Sequence, residues 1–238
     1  MCPGCGGLPG IVAIAITGAA RGIGRATMQT FAAAGANVFA TDLAEIAPDG
    51  GVTTHAGDIA TDEGVRNAID SCVEAYGGLD GIVHCAGILN LNDLAATTVS
   101  EWDAVLGVNV RSGFLLLQHG VPRLLERGGG CITLLGSISG QNGGVVCGPA
   151  YAASKGAVHA LVKWAARNYA GAGIRVNAIA PGPVHTDMSE AASMSGAHVP
   201  LGRLGRAEEI GQLAVYLASD AGSWITGQVL GINGGLLI

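Results

Sequence analysis

Tyr151 and Lys155 stand four residues apart in the run Tyr-Ala-Ala-Ser-Lys, just after Gly148 and Pro149. On a helix that spacing puts both side chains on one face. A free phenol holds its proton up to about pH 10 and is a poor base at neutral pH. An ammonium fixed nearby favours the phenolate. Such a pair could move a proton to or from a bound oxygen. The plain alternative is a partly buried aromatic beside a solvated lysine, and spacing alone does not separate the two.

A second group of residues is built for a different task. Glycines 18, 22 and 24 lie in Thr-Gly-Ala-Ala-Arg-Gly-Ile-Gly, residues 17–24. Glycine permits a tight turn and lets the backbone approach a ligand closely. A helix that starts there offers free N–H groups and a positive dipole end to a pyrophosphate. The spacing is G-x-x-x-G-x-G rather than the commoner G-x-G-x-x-G. Asp42 follows 24 residues after Gly18, at a distance that suits the ribose 2′-hydroxyl of NAD. A 2′-phosphate would meet like charge there, so NAD is favoured over NADP. Arg21, inside the loop, could reach a 2′-phosphate or face solvent.

These residues need a scaffold of alternating elements. Short apolar runs over 11–17, 37–42, 52–58, 81–87, 131–137, 174–181 and 228–234 read as buried strands. Helical patterns lie between them, over 23–34, 62–76, 101–127 (one helix or two), 150–170 and 208–219. Alternation of this kind implies parallel strands joined by right-handed crossovers. The expectation is one α/β domain over residues 1–238, a three-layer, doubly wound Rossmann fold with a seven-stranded parallel sheet.

Composition agrees. Hydrophobic residues make up 49 % of the 238-residue chain, charged residues 13 %, and mean hydropathy is +0.44. A sheet covered on both faces needs that much apolar sequence, and some of it is expected between subunits. Net charge is −6 with no basic stripe, which excludes nucleic acid as the expected partner. No apolar run reaches the length of a membrane span. Residues 1–10 lack the layout of a signal peptide and read as a flexible Gly/Pro-rich leader, so the expected location is cytoplasmic. Cys2 and Cys5 form a lone C-x-x-C without a second pair at zinc spacing, and no metal site is expected.

Taken together in chain order, residues 17–24, Asp58, Ala86–Gly87, Asn109, Ser137, Tyr151–Lys155, Arg175–Thr186 and Thr226–Gly235 resemble the short-chain dehydrogenase/reductase family over residues 11–235. Residues 200–220 are similar to those of bacterial 3-oxoacyl-carrier-protein reductases and polyol dehydrogenases. The resemblance implies that Tyr151 is the general acid/base, with Lys155 holding the nicotinamide ribose and tuning the phenol. It implies that Ser137 orients the substrate oxygen and that Asn109 holds a relay water. Implied cofactor contacts are Gly18, Arg21, Gly22, Ile23 and Gly24; Asp42 and Leu43; Asp58 and Ile59; Ala86 and Gly87; and Pro181, Gly182, Val184 and Thr186, besides Tyr151 and Lys155. Implied substrate contacts are Ser137, Ser139 and Met188. The expected activity is NAD(H)-dependent interconversion of a secondary alcohol and a ketone, in a homotetramer. An NADPH-dependent 3-oxoacyl reductase and a dinucleotide sensor without turnover are the rivals.

Two departures stand out. Ser137 lies one residue farther from Tyr151 than the family spacing, which implies a one-residue insertion in the loop, with Ser139 as the runner-up. His84 and Cys85 replace two asparagines, so an amide that braces the sheet is expected to be lost, with His84 a satisfied histidine at a strand end. Residues 186–200 carry no strong helical pattern and are read as a short, mobile lid, which suggests a small or open-ended substrate. Met188 and Met194 could give it adaptable apolar contacts.

Overall fold

A computed structural model describes Leu8, residues 13–47 and residues 49–238. The strands are β1 (Ala13–Thr17), β2 (Asn37–Asp42), β3 (Thr53–Ala56), β4 (Gly81–His84), β5 (Gly130–Leu135), β6 (Ile174–Pro181) and β7 (Val229–Ile232). They form one sheet in the order β3-β2-β1-β4-β5-β6-β7, every pair parallel. The order reverses between β1 and β4. In open α/β sheets the crevice beyond the strand C-termini at such a reversal is where ligands bind.

The α-helices among the described residues are α1 (Gly22–Ala33), α2 (Asp62–Tyr76), α3 (Val99–Leu106), α4 (Ser112–Glu126), α5 (Ser139–Asn142), α6 (Pro149–Tyr169), α7 (Asp187–Ala191) and α8 (Ala207–Ala218). Strand alternation sorts the core into two layers. Ala15, Phe39, Ile82 and Ile132 pack on one face, with Ile69 of α2, Leu116 of α4 and Val158 of α6. Ile14, Ile16, Val38 and Val83 pack on the other, with Phe31 of α1 and Ile210 of α8. The three-layer, doubly wound architecture is therefore as expected.

Several boundaries differ. β3 is shorter than residues 52–58 and mostly exposed, because it lies at the sheet edge. β4 stops at His84 and β5 at Leu135, since the chain must leave the sheet to reach the crevice. The segment 101–127 is two helices separated by a π-helical turn, Gly107–Arg111. The lid is more ordered than its composition suggested. It contains α7, whose first turn is closed by a capping box between Thr186 and Ser189. Cys2, Cys5 and most of the expected leader lie outside the described residues, as do Ile11 and Val12 at the start of the first expected strand.

Candidate active site

The glycine loop joins β1 to α1 at the sheet reversal. Gly18 has φ +69°, and a Cβ there would lie 2.5 Å from Ala86 N. A Cβ on Gly24 would lie 1.9 Å from Gly18 O. Only glycine lets this turn close against the end of β4. The N-terminus of α1 has no side-chain cap and no acidic residue in its first turn. By contrast, α2, α3 and α7 are capped by Thr61, Thr98 and Thr186. The open N–H groups of α1 fit a pyrophosphate.

Asp42 closes β2 beside this loop. Its carboxylate accepts from Ala20 N at 3.0 Å and from Ala44 N at 3.0 Å, so it is held in one orientation. Leu43 next to it is exposed. Arg21 lies 3.7 Å from Asp187 of α7, both side chains largely exposed. Asp58 is exposed and caps Ala60 N, whereas the Ile59 side chain is in the core. At the far side, Pro181 ends β6 and Gly182 follows it, Val184 pairs with Gly205, and Thr186 caps α7. Gly22 faces Thr186, whose Cγ2 would be 3.4 Å from an added Cβ. Glycine loop and lid therefore share a contact. Met188 is half-exposed on α7.

Tyr151 and Lys155 lie in the first two turns of α6, which begins with Pro149 at a position where a missing N–H costs nothing. Lys155 Nζ sits over the Tyr151 ring, 5.5 Å from its centroid, and donates to Leu135 O at 2.7 Å. Lys155 is 4 % exposed, and burial pushes its ammonium down to about 8. Burial pushes the Tyr151 phenol up to about 12; the Ser137 hydroxyl beside it pulls the other way, and Cys147 adds to the rise. Desolvation of the phenolate is the largest influence on this phenol. Ser137 is buried just past β5 and accepts from Ser139 N at 3.1 Å. Ser139 opens α5, a short helix that sequence patterning did not show. With the Gly143–Gly144 turn that follows, it takes up the longer stretch between Ser137 and Tyr151.

Asn109 sits in the π-helical turn and is 1 % exposed. Its side chain accepts from Ile88 N at 2.8 Å and donates to Ile88 O at 3.0 Å and Ser154 Oγ at 3.0 Å. A Cβ on Gly87 would lie 3.3 Å from Asn109 Oδ1 and 3.6 Å from Lys155 Nζ. Gly87, Asn109 and Lys155 are thus immediate neighbours, though 68 residues separate the first from the last.

The brace expected to be missing at His84 is present in another form. His84 bonds Thr17 Oγ1 at 2.7 Å and Ser112 Oγ at 2.9 Å. Ser112 had no sequence signal, because a serine inside a helix is common. The loop after Gly87 also carries unanticipated ties. Asn90 and Asn92 both donate to Glu101, at 2.8 Å and 2.9 Å, and Asn90 O accepts Gly148 N at 2.7 Å, next to the start of α6.

Comparison with known proteins agrees with this geometry. A family model described as enoyl-(acyl carrier protein) reductase matches residues 18–237. A 3-oxoacyl-[acyl-carrier-protein] reductase of Thermotoga maritima is 38 % identical, over 94 % of this chain and 96 % of its own. Galactitol 2-dehydrogenase (L-tagatose-forming) of Cereibacter sphaeroides is 36 % identical, over 94 % of each. The ligand-free aldohexose dehydrogenase of Thermoplasma acidophilum superposes with a TM-score of 0.89 at 26 % identity, covering 95 % of this chain and 94 % of its own. With its uncapped phosphate loop, its sheet reversal and these relatives, the chain belongs to the short-chain dehydrogenase/reductase family of oxidoreductases, which bind a nicotinamide dinucleotide.

Proposed function

We propose that the protein interconverts a secondary alcohol and a ketone with NAD(H), Tyr151 acting as general acid/base. The observation that carries this reading is that Lys155 Nζ lies over the Tyr151 ring and next to Gly87, with Ser137 buried just past the end of β5. When bound, the nicotinamide gives or takes the hydride. In the reduction direction Tyr151 Oη donates its proton to the carbonyl oxygen, while Ser137 Oγ–H steadies that oxygen. A phenol near 12 holds that proton at neutral pH, as an acid must. Lys155 holds a positive charge over the ring and has donors to spare for ribose hydroxyls. Asn109 fixes the Ile88 backbone behind it. Asp58, Ile59, Ala86, Val184 and Thr186 border the cofactor, and Ser139 and Met188 the substrate.

Support for NAD(H) comes from Asp42. Its carboxylate is anchored beside the phosphate loop, where a 2′-phosphate would meet like charge. The second reading, an NADPH-dependent 3-oxoacyl reductase, is favoured by the Thermotoga maritima relative and by Arg21. The family model is described by an enoyl reduction, which puts a proton on carbon; a phenol and a serine hydroxyl as the proposed donors suit a carbonyl oxygen better. Further copies of this chain, as a homotetramer, are the proposed partners.

The test is a kinetic screen. Wild type and Tyr151→Phe would be given NAD⁺ or NADP⁺ with secondary alcohols and diols. Reduced cofactors would be paired with ketones and a 3-oxoacyl thioester. The expected result is NAD(H) turnover that falls by about 10²–10⁴-fold in the variant. Turnover confined to NADP(H) would overturn the Asp42 argument. Unchanged turnover in Tyr151→Phe would overturn the mechanism.

A further inference from the structure

We propose that His84 is a positioning residue, a neutral imidazole of fixed tautomer that locks the π-helical turn carrying Asn109 to the end of β1. This rests on the dehydrogenase reading of the site only for its effect on turnover.

Proton bookkeeping sets the direction of every bond. Ser112 N–H is spent on Gly107 O, five residues back, because the turn is π-helical. The Ser112 hydroxyl bonds Val108 O, and a carbonyl can only accept, so that hydroxyl is the donor. Having given its one proton away, Ser112 Oγ must accept from His84 at 2.9 Å, so Nε2 carries the imidazole proton. Nδ1 is then bare and accepts from Thr17 Oγ1–H at 2.7 Å. Thr17 Oγ1 in turn faces Ala86 N at 3.4 Å. One directed chain runs from Ala86 through Thr17, His84 and Ser112 to Val108, the residue before Asn109.

The chain is sealed. Thr17, His84 and Ser112 are 1 %, 3 % and 0 % exposed, so water cannot replace a lost partner. The charged group facing His84 is Lys155 of α6. That neighbour and burial both hold the imidazole down, to about 3, so it adds no second positive charge beside the ammonium. Ala86 and Gly87 at one end, and Asn109 at the other, meet again through Asn109's two bonds to Ile88. His84 therefore closes a ring around the place where Lys155 enters.

The tests separate the network from the chemistry. Histidine ¹⁵N NMR of the whole protein should show His84 as the Nε2–H tautomer, unchanged from about pH 5 to about 9. An Nδ1–H tautomer, or titration in that range, would overturn the proposal. Amide exchange at Ile88 reports on the Asn109 turn without any substrate. His84→Leu and Ser112→Ala should speed it about tenfold or more, and His84→Asn, which offers one donor and one acceptor, should restore it to within about threefold. kcat should follow the same order while KM changes by less than about twofold. Equal exchange or equal kcat in His84→Leu, or no rescue by asparagine, would overturn it. Absence of turnover in wild type would strike the dehydrogenase reading instead and leave the NMR and exchange readouts to decide this one.

Discussion

Lys155 shows what burying an ammonium costs the fold. In the unfolded chain its ammonium titrates near 10.5; in the folded protein burial lowers that to about 8. Below pH 8 both states hold the proton, and the folded state carries the whole penalty of a buried charge. Between pH 8 and 10.5 the folded state gives up a proton that the unfolded state keeps, so stability rises with pH across that window. The fall from 10.5 to 8, at about 1.4 kcal/mol for each step of one, corresponds to about 3 kcal/mol. Lys155→Met removes that penalty and leaves Leu135 O without its donor, a smaller cost. The variant is expected to lose turnover yet to be more stable than wild type at pH 7, by about 1–2 kcal/mol. Urea unfolding at pH 7 and pH 9.5 checks this. A variant less stable at pH 7, or one whose stability climbs with pH as wild type does, would contradict the assignment.

At the scale of elements, the phosphate loop depends on three backbones meeting where no side chain fits. Gly18 turns with positive φ against Ala86, and Gly24, in the first turn of α1, lies against Gly18 O. Gly24→Ala would set a methyl carbon 1.9 Å from that oxygen, so β1 and α1 must move apart. Overpacking of this kind costs about 1–3 kcal/mol. The shift also withdraws the free N–H groups of α1 from a phosphate. The expected outcome is a lower urea midpoint together with at least tenfold weaker NADH binding by fluorescence titration, by the estimate of about 1.4 kcal/mol per factor of ten. Wild-type affinity in a folded Gly24→Ala protein would show that the loop does not carry the pyrophosphate. The lid belongs at this scale too. Its helix α7 is capped at Thr186, and the next residue, Asp187, lies 3.7 Å from Arg21 of the glycine loop, so loop and lid meet there.

For the molecule as a whole, the apolar surplus of the sequence has a location. Phe114 and Leu125 of α4 and Trp164 of α6 are exposed, and β7 ends the sheet with a free edge. A free edge and outward aromatics are features that soluble proteins cover. Light scattering is expected to give about four times the 23.6 kDa chain mass. A monomer at micromolar concentration would refute the tetramer. Among the described residues no helix is long and apolar enough to cross a membrane.

Much of this was written in the sequence, for identifiable reasons. The apolar run over residues 11–17 and the spacing of glycines 18, 22 and 24 are local, so composition and turn chemistry revealed β1, α1 and the glycine loop without a partner in view. The one-turn spacing of Tyr151 and Lys155 was legible too, but their proposed roles came from the resemblance carried by the whole set of motifs. What the sequence could not supply was anything set by long-range contact. The sign of the Tyr151 shift depends on how deeply β5 and α6 bury the phenol. The bracing of β4 depends on Thr17 and Ser112, residues 67 and 28 positions from His84. The helical lid turned on a capping box that composition did not suggest. Spacing names the groups that can react; only the folded arrangement fixes their protons, because desolvation and hydrogen-bond direction are properties of neighbours that the chain brings together last.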